Sequence, residues 1–279
     1  MCQDNRLVHR TLTIDDAFRT VRKALWEGQD IDYFEFHQNR FRRSVERVMQ
    51  LLPSGSTVLD VGSHYLHQSA LLALLGYKVI GMDAPEFACL DSIRQRAEQF
   101  GIELYAVQEF DNGRFLLERG ESFVDLVLFC EILEHITFNP IRFWHRIYDL
   151  LHTPGKIYIT TPNSLRLVNL ANVIKRAVLL KGIGPDVSSI FTNVTYGHHW
   201  KEYSKSELMR YFRSLSPDFH CQINYWHFRP SSPIRSIKDV FRRFSQEWGR
   251  LIPCFDEQLE VVVSLNEKTG FTATPPEYI

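Results

Sequence analysis

The sequence lacks the cysteine spacing that a disulfide framework or a structural zinc site requires. Its 5 cysteines are odd in number and scattered along the chain, and no two of them form a C-x-x-C pair. No apolar run approaches the ~18 residues of a membrane-spanning helix, and the N-terminal residues MCQDNRLVHR contain no signal-peptide core. These absences predict a cytoplasmic protein with no integral membrane segment.

The chain also lacks an excess of charge of either sign. Its formal net charge is −1, whereas nucleic-acid binders usually carry a basic face, so we expect no nucleic-acid partner. Apolar residues make up 44% of the 279 residues, which is ordinary for a globular core. This length suits one large α/β domain with an added subdomain, or two small domains, and leaves the oligomeric state open.

Residues 57–83, TVLDVGSHYLHQSALLALLGYKVIGMD, predict a βαβ unit. An apolar strand leads to a turn opened by Gly62, an apolar helix follows, and a second strand over residues 77–82 ends at Asp83. Such a turn presents backbone N–H groups at a helix N-terminus, and a carboxylate about 20 residues later accepts hydrogen bonds from ribose hydroxyls. The segment therefore predicts a nucleoside site, with a βαβ unit that binds no ligand as the alternative.

The same turn has few glycines, which bears on the identity of the nucleoside. Dinucleotide sites need glycine at three positions of G-x-G-x-x-G, because the pyrophosphate approaches bare backbone. Here His64 and His67 stand at the two later positions, so a pyrophosphate would meet side chains. A nicotinamide-dependent oxidoreductase is thus disfavoured. S-adenosylmethionine, which carries no phosphate, needs less room.

The segment VLDVGS together with Asp83 resembles the first two motifs of the class I S-adenosylmethionine-dependent methyltransferases. In that family Asp60 orders the glycine loop around the methionine part of the cofactor, Asp83 binds the ribose, and an acidic residue after the third strand binds adenine. Gln108, Glu109 and Asp111 compete for this last role. The resemblance implies a cofactor site made of Asp60, Gly62, Ser63, His64, Asp83, Ala84, Glu109 and Cys130.

Later segments resemble the small-molecule branch of the same family. VDLVLFC followed by EILEH predicts a central strand and its catalytic turn, and KIYITTPN resembles the fifth strand. In HHWKEYSKSELMRYF, histidines precede a helix that an S-x-x-E capping box at Ser204 and Glu207 would start. The resemblance implies a Rossmann-like, doubly wound α/β sheet of seven mostly parallel strands, in the order 3-2-1-4-5-7-6, with strand 7 antiparallel.

We expect the chain to divide into a helical cap over residues 1–52 and a methyltransferase domain over residues 53–279. We expect cap helices at residues 15–26 and 33–52, the second carrying Arg40, Arg42, Arg43 and Arg47 as a solvated face or as a basic rim for an anionic substrate. A helical insertion at residues 164–196 is predicted to be a lid, with a core-packing helix and a membrane-surface helix as alternatives. Strands at 219–228 and 258–265 are expected to flank a basic helix at 234–251.

Candidate catalytic residues follow the fourth strand. Glu131, Glu134 and His135 stand at i, i+3 and i+4, so we expect them to share one side of a helical turn. His135 is predicted to act as a general base, with a structural role as the alternative, and the same trio is a candidate site for a divalent metal ion. Of the next histidine pair, we expect His198 to face the pocket and His199 to pack.

The function predicted from these features is methylation of a small molecule. A base cluster is needed chiefly to activate a hydroxyl, so O-methylation of a natural product, a sugar or a quinone-type acceptor is favoured. The alternative is a catalytically silent protein of the same fold that acts as an interaction subunit, which the missing glycines at His64 and Leu66 support.

Overall fold

A computed structural model describes residues 12–180, 182, 184, 187–192, 194, 197–227 and 236–276. Its centre is one seven-stranded sheet. The strands are β1 Thr57–Val61, β2 Lys78–Asp83, β3 Glu103–Ala106, β4 Val124–Cys130, β5 Leu151–Pro162, β6 Phe219–Trp226 and β7 Gln258–Leu265. They lie in the order β3-β2-β1-β4-β5-β7-β6, and only β7 runs antiparallel to its neighbours. The predicted order and the predicted antiparallel strand are both confirmed.

Helices cover both faces of the sheet. They are α1 Ile14–Lys23, α2 Gln29–Leu51, α3 His67–Leu74, α4 Pro85–Ala88, α5 Asp91–Phe100, α6 Ile141–Leu150, α7 Leu167–Val178, α8 Val187–Thr192, α9 Lys205–Leu215 and α10 Ile237–Leu251. The predicted capping box at Ser204 and Glu207 starts α9, and Gly101 ends α5 in the left-handed conformation expected of a C-cap. None of the described helices is long and apolar enough to cross a membrane.

The core forms two layers because successive side chains of a strand point to opposite faces of the sheet. In β4, Val127 and Phe129 join one buried cluster, which α6 and α9 cover. Leu126 and Leu128 join the other, to which α1, α2, α3 and α5 contribute. Both faces of this strand are therefore apolar, as its uninterrupted run of apolar residues predicts.

The first two helices are packed into the body of the protein. Phe34, Phe41 and Val45 of α2 are buried in the same cluster as Val58 of β1. Residues 1–11 of the predicted cap lie outside the described residues.

The insertion after β5 differs from one of its predicted alternatives. The prediction of a core-packing helix is wrong for α7. None of the residues of α7 is buried, and Ile174 and Val178 are mostly exposed. Pro185 and Tyr196 of the predicted lid, and Phe228 and Ile234 of the predicted C-terminal elements, lie outside the described residues.

Candidate active site

The turn after β1 keeps a glycine-like backbone although it holds few glycines. Gly62, His64 and Leu66 all have positive φ angles, of 70°, 47° and 60°. A side chain at Gly62 would be strained by this φ, and its Cβ would lie 2.2 Å from Ile132 Cδ1, so the Ile132 side chain would have to move. Left-handed backbone at the other two residues costs about 1–3 kcal/mol each and is typical of functional sites. The turn thus has the backbone shape that glycines usually supply.

Asp83 ends β2 and holds this turn in place. Its Oδ2 accepts the backbone N–H of His64 at 2.6 Å, and its Oδ1 accepts that of Ala84 at 2.7 Å. Burial raises the pKa of Asp83 above its usual range, against the effect of these two hydrogen bonds. The carboxylate therefore lies at a fixed position at the end of its strand, with accepting capacity left for a ligand.

A cavity of about 630 Å³ opens at the carboxyl ends of β1 to β4. This volume is within the ~300–1,000 Å³ typical of small-molecule sites, and ligands of open α/β sheets bind at this edge. Most of the predicted cofactor residues lie here, as do all three candidates for adenine. The lining includes Tyr33, Gly62, His64, Asp83, Ala84, Gln108, Glu109, Asp111, Phe129, Cys130, Glu131, Ile132, His135 and Phe143.

A small side cavity of about 40 Å³ lies behind the turn and contains the other predicted cofactor residues, Asp60 and Ser63. Burial raises the pKa of Asp60 to about 7, with the hydrogen bond from Ser69 opposing it and the charge of Asp83 adding to it. The Ser63 hydroxyl is buried and has no hydrogen-bond partner among the described residues. A buried acid of this kind is a natural partner for a positively charged ligand group.

Two arginines of α2 fit neither the predicted solvated face nor the predicted basic rim. Arg40 is buried, and its guanidinium lies 3.3 Å from the Glu131 carboxylate. Arg43 donates two hydrogen bonds of 2.9 Å to Glu260, a buried residue of β7. Neither a solvated face nor a free basic rim describes these side chains, because Arg40 is buried against Glu131 and the partly exposed Arg43 is paired with a buried carboxylate. Sequence reasoning missed Arg40 as a site residue.

The predicted catalytic trio does not form one side of a helical turn. Glu131 has a φ of 57°, and only Leu133–His135 forms a short 3-10 turn, so Glu131 and Glu134 take different partners. The Glu131 carboxylate accepts a hydrogen bond of 3.0 Å from Gln258 besides facing Arg40. Glu134 is fully buried and accepts a 2.9 Å hydrogen bond from Thr161. Burial, and then the charge of Glu131, raise the pKa of Glu134.

His135 lines the cavity and has a defined tautomer. Its Nδ1 lies 3.0 Å from the main-chain carbonyl oxygen of His198, which can only accept, so Nδ1 carries the proton and Nε2 is an acceptor. Burial and the neighbouring His199 lower the pKa of His135. The ring is therefore neutral at neutral pH and presents a basic nitrogen.

His198, which was expected to face the pocket, does not line the larger cavity. The ring of His199 lies beside that of His135, with centroids 4.9 Å apart, whereas the buried His198 ring packs against Trp200. His198 contributes its main-chain carbonyl to the site instead of its side chain. Which of two adjacent residues faces a site depends on loop geometry, which the sequence does not show.

Glu134, His135 and His199 form a group that can hold a metal ion, since their ligand atoms all lie within 4.8 Å of one another. Each histidine has its Nδ1 engaged, His135 with a carbonyl and His199 with Glu202 at 2.9 Å, which leaves both Nε2 atoms available. Glu134 Oε1 is buried without a hydrogen-bond partner among the described residues. Glu131, a member of the predicted metal set, is instead bound to Gln258 and Arg40.

The two histidines that follow Gly62 have different surroundings. The ring of His64 contacts Tyr33, Tyr65 and Phe87 at the cavity wall, and burial lowers the pKa of His64 to about 4. His67 begins α3 but is no ordinary helix residue, because it is buried and bonded to Asp30 at 2.7 Å.

The family of the chain follows from comparison with known proteins. A family model described as a methyltransferase domain matches residues 33–223, which span the turn, the cavity and the histidine pair. The chain belongs to this methyltransferase family. No curated protein is significantly similar to it in sequence.

Solved structures share the fold of this methyltransferase at low sequence identity. An S-adenosylmethionine-dependent methyltransferase from Archaeoglobus fulgidus is 14% identical, with a TM-score of 0.53 over 85% of this chain and 100% of that chain. A chain in the complex of the Haloferax volcanii Trm112 methyltransferase activator with a methyltransferase is 15% identical, with a TM-score of 0.56 over 90% and 98%. Phosphoethanolamine N-methyltransferase 2 of Haemonchus contortus, in complex with phosphomonomethylethanolamine and S-adenosylhomocysteine, is 13% identical, with a TM-score of 0.51 over 92% and 61%. The family match together with this shared fold identifies the protein as a class I S-adenosylmethionine-dependent methyltransferase.

Proposed function

We propose that this methyltransferase transfers a methyl group to a hydroxyl of a small molecule, with His135 as the general base. The observation that carries the proposal is the fixed tautomer of His135, a residue of the cavity lining whose Nε2 is unprotonated. A hydroxyl must lose its proton at or before the transition state, and a neutral imidazole accepts it. An amine acceptor would have less need of such a base.

We assign the cofactor to the larger cavity and its side cavity. Asp83 binds the ribose hydroxyls, Glu109 binds the adenine amino group, and Asp60 with Ser63 faces the methionine part. The left-handed turn and the cavity volume support this assignment. They also argue against the catalytically silent alternative, because the backbone shape of the loop is kept without its usual glycines.

The reaction is an in-line displacement. The acceptor oxygen attacks the methyl carbon, the carbon–sulfur bond breaks, and its electron pair stays on sulfur as S-adenosylhomocysteine leaves. The hydroxyl proton passes to His135 Nε2 and then to solvent. Since charge is lost along the reaction, the protein contributes mainly alignment and the removal of this proton.

A divalent cation fits the same site. Glu134, His135 and His199 would hold it, and their mixed nitrogen and oxygen donors, with both Nδ1 atoms already engaged, suit such an ion. A bound divalent cation lowers the pKa of a hydroxyl that it contacts. In that case His135 serves as a ligand, and the proton leaves to solvent.

Substitution of Asp83 tests the cofactor assignment. Asp83→Ala leaves two ribose hydroxyls without their acceptor, so the affinity for S-adenosylhomocysteine should fall by about 1–3 kcal/mol in titration calorimetry. Asp91→Ala, at an exposed aspartate in the first turn of α5, is the matched control and should bind like the wild type. Unchanged affinity in folded Asp83→Ala protein would contradict the assignment.

A further inference from the structure

A second cavity, of about 260 Å³, adjoins the cofactor cavity along the same edge of the sheet. It lies between α7 and α10, where β7 begins. Gln258 lines this second cavity and Glu131 lines the first, and these two side chains are joined by the 3.0 Å hydrogen bond. The complete lining is Arg166, Leu167, Val168, Asn169, Asn172, Ser245, Gln246, Phe255, Glu257 and Gln258.

Two glutamines of this cavity have a fixed amide orientation. Gln258 Nε2 donates to the Glu131 carboxylate, and Gln246 Nε2 donates to the Glu257 carboxylate at 3.2 Å. A carboxylate can only accept, so the nitrogen end of each amide is fixed and the carbonyl end points elsewhere. The two side chains therefore offer carbonyl oxygens and not amino groups.

Both carbonyl oxygens are buried and have no hydrogen-bond partner among the described residues. Gln246 is 2% exposed and Gln258 is 5% exposed, so bulk water does not satisfy them. Unsatisfied buried acceptors are rare in folded proteins, and each needs an explanation. A ligand that donates hydrogen bonds in the cavity would supply the missing partners.

The remaining walls narrow the chemistry of that ligand. The Nε of Arg166 is a further buried atom without a partner among the described residues, while another nitrogen of this side chain pairs with Glu202 at 2.7 Å. Arg166 and Glu257 bring one charge of each sign to the lining, which favours a ligand without net charge, and the two glutamine carbonyls disfavour a carboxylate or phosphate. Leu167 and Phe255 add apolar surface. The cavity thus suits a neutral ligand that has several hydroxyls and an apolar face.

We propose that the second cavity binds the sugar ring of a hydroxylated methyl acceptor. A sugar ring has hydroxyls that both donate and accept, and C–H faces that pack against apolar side chains. The volume, just below the ~300–1,000 Å³ of drug-sized sites, suits a single ring. The proposal rests on the proposed function and selects the sugar from the acceptor classes. One ring hydroxyl is methylated to an ether, its proton passes to His135, and S-adenosylhomocysteine is released.

Ligand-observed NMR with simple glycosides tests the proposal. Methyl glucoside, methyl rhamnoside and, as a planar phenol, catechol are titrated against the protein with and without S-adenosylhomocysteine. We expect saturation transfer to at least one glycoside, at least a fivefold loss of its affinity in Gln246→Met, and unchanged affinity in the control Gln95→Met, at an exposed position of α5. Asn172→Ala, at the exposed rim, should weaken the same glycoside and covers the case in which Gln246→Met does not fold.

The outcomes separate the two proposals. Absence of glycoside binding, or equal binding by the wild type and by folded Gln246→Met and Asn172→Ala, overturns the sugar site, as does binding of catechol alone. Failure of the wild type to bind S-adenosylhomocysteine would contradict the proposed function. Glycoside binding measured without the cofactor tests the second cavity in that case too.

Discussion

The basicity of His135 depends on what its two nitrogens contact. The carbonyl of His198 fixes the proton on Nδ1, and burial next to His199 makes a second proton on the ring unfavourable. No described carboxylate bonds to Nδ1 to strengthen the base. The His135 ring therefore stays neutral to a lower pH than an ordinary histidine. The same lowered pKa means that it binds a proton less tightly.

This arrangement predicts the activity of His135 variants. His135→Ala should lower turnover by roughly 10²–10⁴-fold, because the acceptor hydroxyl loses its proton acceptor, and should leave the affinity for S-adenosylhomocysteine unchanged. Protonation of Nε2 removes the base, and the pKa of His135 is lowered. In the wild type, activity should therefore fall on acidification only below the ordinary histidine pKa of ~6.5. Turnover of labelled cofactor with a glycoside acceptor, followed by mass spectrometry, measures both.

Controls distinguish the base from a metal ligand. His220→Ala, at an exposed position of β6, should behave as the wild type. If chelation by EDTA abolishes activity and a divalent ion restores it, His135 acts as a ligand together with Glu134 and His199. Full activity after both chelation and His135→Ala would leave the cluster with a structural role.

At the residue level, side chains near the end of a strand can be predicted from the sequence. Contacts between side chains of elements that are distant in the sequence cannot. Asp83 is the last residue of β2 and His135 lies in the short turn that follows β4, so their places at the cavity can be predicted from the pattern. Arg40 and Gln258 meet Glu131 from α2 and from β7. Such contacts depend on tertiary packing, which hydrophobic periodicity does not predict.

At the level of elements, the sequence predicts the sheet well and the boundaries less well. β7 has the predicted bounds, because its alternating and apolar residues fit a central strand. β5 begins at Leu151 although Pro154 and Gly155 suggest a turn, and its register with β4 shifts between Val124 and Leu126. Because the pairing is irregular here, residues that composition alone assigns to a turn are part of the strand.

The lid remains a prediction, now for α7 in particular. Because α7 supplies one wall of the second cavity and buries no residue of its own, we expect its amides to exchange rapidly in the free protein. S-adenosylhomocysteine together with methyl glucoside should slow this exchange, whereas α6, which is buried against the sheet, should be protected throughout. Hydrogen exchange with mass spectrometry measures both helices in one experiment.

The alternative for α7 is association with a membrane surface. In that case anionic phosphatidylglycerol vesicles would slow its exchange, and the cofactor with the glycoside would not. High protection that no ligand changes would rule out the lid. The mostly exposed Val178, Leu179 and Leu180 are compatible with either outcome, so the vesicle experiment is required.

At the scale of the whole molecule, a buried charge network connects the first helices to the turn after β1. Asp30 of α2 is bonded to His67 of α3 at 2.7 Å and to Arg96 of α5 at 2.6 Å. Arg96 also donates to the main-chain carbonyl of Tyr65, within the turn, at 2.7 Å. The helices that precede the sheet therefore help to set the conformation of this turn.

Asp30→Asn tests whether the protein unfolds as one unit. The change leaves Arg96 buried without its counter-charge, so the free energy of unfolding at pH 7 should fall by about 3–5 kcal/mol. Burial by itself would raise the pKa of Asp30, but the hydrogen bonds from His67 and Arg96 outweigh it and lower that pKa. Since the folded-state pKa is below the unfolded value of ~3.9, this contribution is complete above that pH and is lost as the pH falls below it.

Urea unfolding followed by circular dichroism and tryptophan fluorescence provides the measurement. The two probes should give one coincident transition in the wild type and in Asp30→Asn, because α2 and the sheet share one buried cluster. Asp32→Asn, an exposed position two residues further along the same helix, should leave the free energy of unfolding almost unchanged. Equal effects of the two substitutions would show that the pair of Asp30 and Arg96 contributes little to stability. Two separate transitions would instead show that residues 1–52 form a cap that unfolds independently of the methyltransferase domain.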